Sequence, residues 1–200
     1  MGGKISQIGF AVLAIAGIAV FWLAGRNFEP EREAIRRAAE QGDAAAQYKL
    51  GQMHAAGNGV ARDEGQAVQW YRRAAEQGYL PAVYEMGVAY DLGNGVPPDA
   101  AETVKWYRLA AERGYAPAQD SLGRKYAEGD GVPPDAAEAR RWYGQAARHG
   151  FPQAQCNLGR MHAEGKGGPQ DVEEARKWYR QAADRGYAPA RELLREIGRN

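Results

Sequence analysis

The 200 residues carry 26 Lys plus Arg against 25 Asp plus Glu, a formal net charge of +1. That balance excludes a basic nucleic-acid binder and an acidic disordered tail. A single cysteine, Cys156, excludes an internal disulfide or a zinc site built on several thiolates, and 5 Trp with 11 Tyr are too many bulky anchors for a disordered chain.

From Ile5 to Ala24 the sequence is uncharged, and a helix of about twenty residues spans about 30 Å of hydrocarbon. Phe21, Trp22 and Leu23 stand where a cleaved leader would have small residues, so residues 1–25 are read as an uncleaved transmembrane anchor, with Trp22 at the interface. Only Lys4 precedes the segment, whereas Arg26, Arg32, Arg36 and Arg37 follow it; that excess favours a cytoplasmic domain. A short N-terminal flank with one Lys fits an exported bacterial protein instead. The placement carried forward is a single-pass protein of the bacterial inner membrane with its repeat domain in the periplasm, the cytoplasm being the alternative.

Beyond the anchor the chain repeats itself. Gly51, Gly87, Gly123 and Gly159 recur every 36 residues, as do Trp70-Tyr71, Trp106-Tyr107, Trp142-Tyr143 and Trp178-Tyr179, the Ala-Ala pairs from Ala74-Ala75 onward, and Gly78, Gly114, Gly150 and Gly186. The units are 43–78, 79–114, 115–150 and 151–186. Residues 26–42 form a linker and an N-terminal half-repeat, in which Arg36 to Gly42 is identical to Arg72 to Gly78; residues 187–200 form a C-terminal capping helix, with Arg195 in place of the recurring glycine.

Each unit reads as helix, turn, helix. Small residues (Ala46, Ala82, Ala118, Ala154 and the glycines after them) leave one face of the first helix free for close approach, to about 8 Å between axes. The turn glycines, Gly57 with Gly59 and their equivalents, permit a tight reversal. Asp63, Asp99, Asp135 and Asp171 precede Gln66, Glu102, Glu138 and Glu174 by three positions, the spacing of a capping box at the start of each second helix. The Trp and Tyr rings of the second helix are expected to fill the gap left by the small residues.

The pattern A-x-x-x-L-G, then G-x-G-V, then W-Y-x-x-A-A-x-x-G over residues 31–200 resembles the Sel-one-like repeat, a relative of the tetratricopeptide repeat. The resemblance implies an all-α fold: a right-handed α/α superhelical solenoid of helix-turn-helix repeats, here preceded by one transmembrane helix. It also implies an adaptor or scaffold for other proteins, often in the bacterial envelope. Family members with a cysteine pair in each repeat have been described as weak penicillin-binding or β-lactam-hydrolysing proteins. This chain has no such pairs and no S-x-x-K.

No catalytic, cofactor-binding or metal site is assigned. His54 and His162 are three units apart and replace Tyr90 and Tyr126; His149 fits the last turn of a helix, and Cys156 has no His or Asp at a nucleophile's spacing. The G-x-G turns lack the strand and G-K-[ST] of a phosphate loop, and the arginines of the second helices alternate with acids. In solenoids of the resembled type the first helices line the concave surface. The candidate partner groove is therefore Lys49, Gln52, Met53, Glu85, Val88, Ala89, Ser121, Arg124, Lys125, Asn157, Arg160 and Met161. The expected function is a membrane-anchored, non-catalytic protein interaction scaffold whose partners are a protein and the membrane, with neither nucleic acid nor a small-molecule substrate. The alternatives are a weak β-lactam or cell-wall hydrolase and a structural subunit of a membrane complex.

Overall fold

The computed structural model describes residues 30–198, and among these the chain is ten helices with no strand. Helix α1 covers 30–40. The first helices of the four repeats are α2 (Ala44–Ala56), α4 (Leu80–Leu92), α6 (Ala116–Glu128) and α8 (Pro152–Glu164). Their second helices are α3 (Glu64–Glu76), α5 (Ala100–Glu112), α7 (Ala136–Arg148) and α9 (Val172–Asp184), and α10 (Ala188–Ile197) follows as a lone first-type helix. Each helix packs on the one before it and the one after it in the chain, which makes the molecule an α-solenoid.

The start and stop signals differ between the two helix types. Second helices begin at Asp63, Asp99, Asp135 and Asp171, whose side chains accept from backbone N–H groups two or three residues on, at 2.9–3.0 Å. Such a cap contributes about 1 kcal/mol. The reciprocal half of the expected capping box is not formed. The Asp N–H groups donate instead to the carbonyls of His54, Tyr90, Tyr126 and His162 at 2.8–3.0 Å, which closes each loop onto the end of the first helix. With their backbone target already taken, Glu102, Glu138 and Glu174 turn outward to Lys105, Arg141 and Lys177. First helices α4, α6, α8 and α10 have an aromatic residue at the N-cap and Pro in the first turn, with no side-chain cap.

Inside each unit the tyrosine of the Trp-Tyr pair lies on the recurring glycine. A Cβ on Gly51, Gly87, Gly123 or Gly159 would stand 2.5–2.8 Å from the ring of Tyr71, Tyr107, Tyr143 or Tyr179. The tyrosines are buried, Tyr107 to 2 % exposure, whereas Trp70, Trp106 and Trp178 are only half-buried and Trp142 alone is enclosed. Tyrosine, and not tryptophan, is thus the regular filler of the gap. The repeats stack through backbone: a Cβ on Gly131 (φ +75) would meet the Ala100 carbonyl at 2.2 Å, and Gly95 and Gly167 approach Glu64 and Ala136 in the same way. Buried Gln47, Gln119 and Gln155 extend this stacking, each donating its side-chain amide to a carbonyl eight residues back, Ala39, Ala111 or Ala147.

The expected membrane segment, residues 5–24, lies outside the described residues. Among the described residues no helix is long and apolar enough to cross a membrane, and the longest in the repeats have 13 residues against the roughly twenty a span requires. The expectation of a single-pass inner-membrane protein with a periplasmic repeat domain is corrected accordingly and is not carried further.

The packing sets a ranking that chemical denaturation can check. Tyr107→Ala should cost about 3–5 kcal/mol and Trp106→Ala clearly less. Gly87→Ala, which drives a methyl into the Tyr107 ring, should cost about 1–3 kcal/mol. Equal losses for Tyr107→Ala and Trp106→Ala would refute the assignment of the core ring.

Candidate functional site

Repetition places equivalent side chains of the first helices at each junction between units. Position 49 recurs as Glu85, Ser121 and Asn157, and position 52 as Val88, Arg124 and Arg160. At three junctions these residues border an open pocket together with residues of the preceding unit. Glu31, Arg32 and Ile35 face Lys49, Gln52 and Met53; Glu64 and Tyr71 face Glu85 and Val88; Tyr143 faces Asn157, Arg160 and Lys166. Lys49, Gln52 and Arg160 are exposed, and Met53, Glu85, Val88, Ser121, Arg124 and Asn157 are half-exposed. Three residues of the expected groove are not surface: Ala89 is 4 %, Met161 5 % and Lys125 1 % exposed. Ala89 and Met161 lie at the floor of two of these pockets, and Lys125 is enclosed by carboxylates.

The junction between the second and third units is closed by charge. Lys125 on α6 places its ammonium on Asp91 of α4 and on Asp130 of its own loop. Tyr107 donates to Asp91 at 3.3 Å, and Arg124 reaches Asp91 and Glu128, each at 3.3 Å. Burial alone would raise the Asp91 carboxyl; the lysine and arginine beside it overcome that and hold it below the usual range. The other units have Ala at the position of Asp91 and Met or Ala at that of Lys125. These departures from the repeat, one in each of two adjacent units and of opposite charge, were the signal that reading each unit separately misses.

A second charge is buried on the same helix. Asp120 is 7 % exposed, at a position held elsewhere by Tyr48, Tyr84 and Cys156, and accepts from Asn157 on α8 at 2.9 Å. Burial raises its carboxyl to about 6 despite Asn157, Arg124 and Arg160. Toward the N-terminus the row turns aromatic: Tyr48 packs on Tyr71 and Tyr79, and Tyr84 on Tyr107 and Tyr115, at centroid distances of 5.4–5.8 Å. Burial pushes the Tyr48 phenol up to about 12.

Two further reactive groups, His162 and Cys156, are accounted for by their surroundings. His162 accepts from the Arg140 guanidinium at 2.7 Å, as Tyr90 and Tyr126 accept from Arg72 and Arg108, which explains why a histidine stands in a tyrosine position. Burial and that guanidinium push its pKa down. Burial raises the Cys156 thiol, and a buried neutral thiol is a poor nucleophile. Among the described residues no three His, Cys, Asp or Glu side chains gather where a metal ion could sit.

A stack of identical helix pairs with one row of variable side chains defines a helical-repeat solenoid whose units differ where they face outward. The Sel1 repeat model matches residues 44–79, 80–115, 116–151 and 152–187, and the chain belongs to the Sel1 repeat family. Among solved structures it is similar to c5321, a protective antigen present in uropathogenic Escherichia coli strains that displays an SLR fold, with 43 % identity over 80 % of this chain and a TM-score of 0.77. It is also similar to a Sel1 repeat protein from Oxalobacter formigenes, with 38 % identity over 84 % of this chain and a TM-score of 0.77. The matches cover 34 % and 49 % of those two chains, so this chain spans a third to a half of their length. Helicobacter pylori cysteine rich protein B shares the fold, at 22 % identity, a TM-score of 0.54, and coverage of 66 % of this chain and 96 % of that one. No curated protein matches the chain.

Both buried charges make measurable claims. Lys125→Met should cost about 3 kcal/mol, because Asp91 loses its main cation; adding Asp91→Ala, which restores the composition of the other junctions, should bring stability back to within about 1 kcal/mol of the parent. Urea denaturation of the two variants decides it. For Asp120 the folded state binds its proton more tightly than the unfolded chain, so this site favours folding more as pH falls from about 6 towards the ordinary 3.8 and opposes it above 6. Asp120→Asn should therefore be more stable than the parent at pH 7.5, by about 2 kcal/mol, with the difference vanishing near pH 4. A constant difference across that range would contradict the buried, unpaired carboxylate.

Proposed function

We propose that the protein is a non-catalytic scaffold that holds an extended segment of another protein along the row of first helices. The observation that carries this reading is the pocket that recurs at three junctions, which presents the variable side chains Lys49, Gln52, Glu85, Val88, Asn157 and Arg160. A solenoid of this kind offers a partner many small contacts instead of one deep cleft. Charge is unevenly distributed along the row, with Lys49 in the first repeat, Glu85 in the second, and Arg124 and Arg160 in the third and fourth. That order favours one direction and one register of a bound segment. Membership of the Sel1 repeat family supports the same reading.

Photo-crosslinking tests it. A benzophenone amino acid placed singly at Gln52, Val88 or Arg160 of the full chain in its native cells should give protein adducts. The same group at Arg73 or Arg180, on exposed positions of the second helices, should not. Adducts of equal yield from both faces, or from the second helices alone, would reject the row as the binding face.

A further inference from the structure

The junctions between full repeats are built from the same positions, so the closed one shows what the geometry of an open one can hold. Between the second and third repeats the space is taken by the Lys125 ammonium, between Asp91 and Asp130 and beside the Tyr107 hydroxyl. One unit earlier the equivalents are Ala89 for Lys125, Ala55 for Asp91, Asn94 for Asp130 and Tyr71 for Tyr107. The two alanines leave a pocket there, and two carboxylates, Glu64 and Glu85, join its wall. Glu64 is paired with Arg62 at 2.8 Å. Glu85 is half-buried and has no ion pair or hydrogen bond among the described residues, and both carboxylates act on the Tyr71 phenol. The rest of the wall, Ala67, Val68 and Val88, is apolar.

We propose that the pocket between the first and second repeats receives a lysine side chain from the bound partner segment, its aliphatic stem against Val68 and Val88 and its ammonium on Glu85. A lysine from another chain would thus bring an ammonium to the space that Lys125 fills one unit later, with Glu85 and Glu64 as the carboxylates in place of Asp91 and Asp130. A compact ammonium on a flexible four-carbon stem matches a narrow apolar entry with one carboxylate at its wall, whereas a planar guanidinium needs a wider opening and paired acceptors. A partly desolvated carboxylate without a counter-ion gains more from a cation than an exposed one does. Burial raises the Glu85 carboxyl, and a bound ammonium would lower it again, so capture should strengthen as pH rises through its titration. The proposal rests on the first-helix row being the partner-binding face.

The test uses the full chain with ring-labelled tyrosine and two capped tripeptides as probes, Gly-Lys-Gly and its norleucine counterpart, followed by NMR. The lysine peptide should shift the Tyr71 ring signals and the norleucine peptide should not. Glu85→Gln, a near-isosteric change at a half-exposed position, should weaken binding by about tenfold. Ala89→Lys, which supplies the cation from within, should abolish the shift. Equal shifts from both peptides, no shift from either, or unchanged binding in Glu85→Gln would overturn the assignment. If the lysine probe fails while crosslinks still form from Gln52, Val88 and Arg160, only the lysine pocket falls; if those positions give no crosslinks, the binding-face reading falls as well.

Discussion

The contact on which the rest of the molecule depends is a tyrosine ring packed directly against a glycine. With no Cβ at Gly51, Gly87, Gly123 and Gly159, the second helix of each unit can lodge a large ring against the backbone of the first, and the ring fixes the separation of the pair. Because the glycine and the tyrosine recur in step, every pair has the same geometry, and identical pairs can only stack in a regular array. The pockets of the first-helix row inherit their spacing from this contact. So does the position of Tyr107, whose hydroxyl reaches the carboxylate that receives Lys125.

Much of this architecture is legible in the amino-acid order because it is written four times. A 36-residue period, glycines at turns and Asp at helix starts each have one physical reading, and helix ends follow from it to within a residue or two. The choice between tryptophan and tyrosine as the core ring is not legible, since both are bulky, adjacent and invariant across the units; one residue is 100° of helix, and only the packed neighbour decides which ring points inward. The capping box fails for a related reason. Its spacing is local, but the Asp N–H is claimed by the carbonyl at the end of the preceding helix, a contact that only the closed loop creates.

The candidate site was legible as a row of variable positions and illegible in depth. Ala89, Lys125 and Met161 vary as much as their neighbours do, and variability alone cannot distinguish a side chain facing solvent from one facing the next unit. Lysine at 125 is the instructive member: a long charged side chain is normally exposed, and here it is enclosed because an aspartate in another unit meets it. Asp120 is enclosed with only an amide as partner, and its carboxyl moves up instead of down. The two aspartates of neighbouring first helices shift in opposite directions because Asp91, half-buried, is bonded to Lys125 and Arg124, whereas Asp120 is more deeply buried and bonded only to an amide.

The seam between units is made largely of main chain, with the Gly95, Gly131 and Gly167 loops resting on carbonyls of the preceding second helix. A seam of that kind does not read side chains, so whole units can be copied, removed or exchanged in evolution without the neighbours having to change. Two seams are exceptions: Asn157 with Asp120 ties the fourth unit to the third, and Lys125 with Asp91 ties the third unit to the second. Separating those two units would strand a buried ammonium on one side. The array is therefore more readily extended at its other seams than at these two, where a unit is matched to its neighbour by side chains.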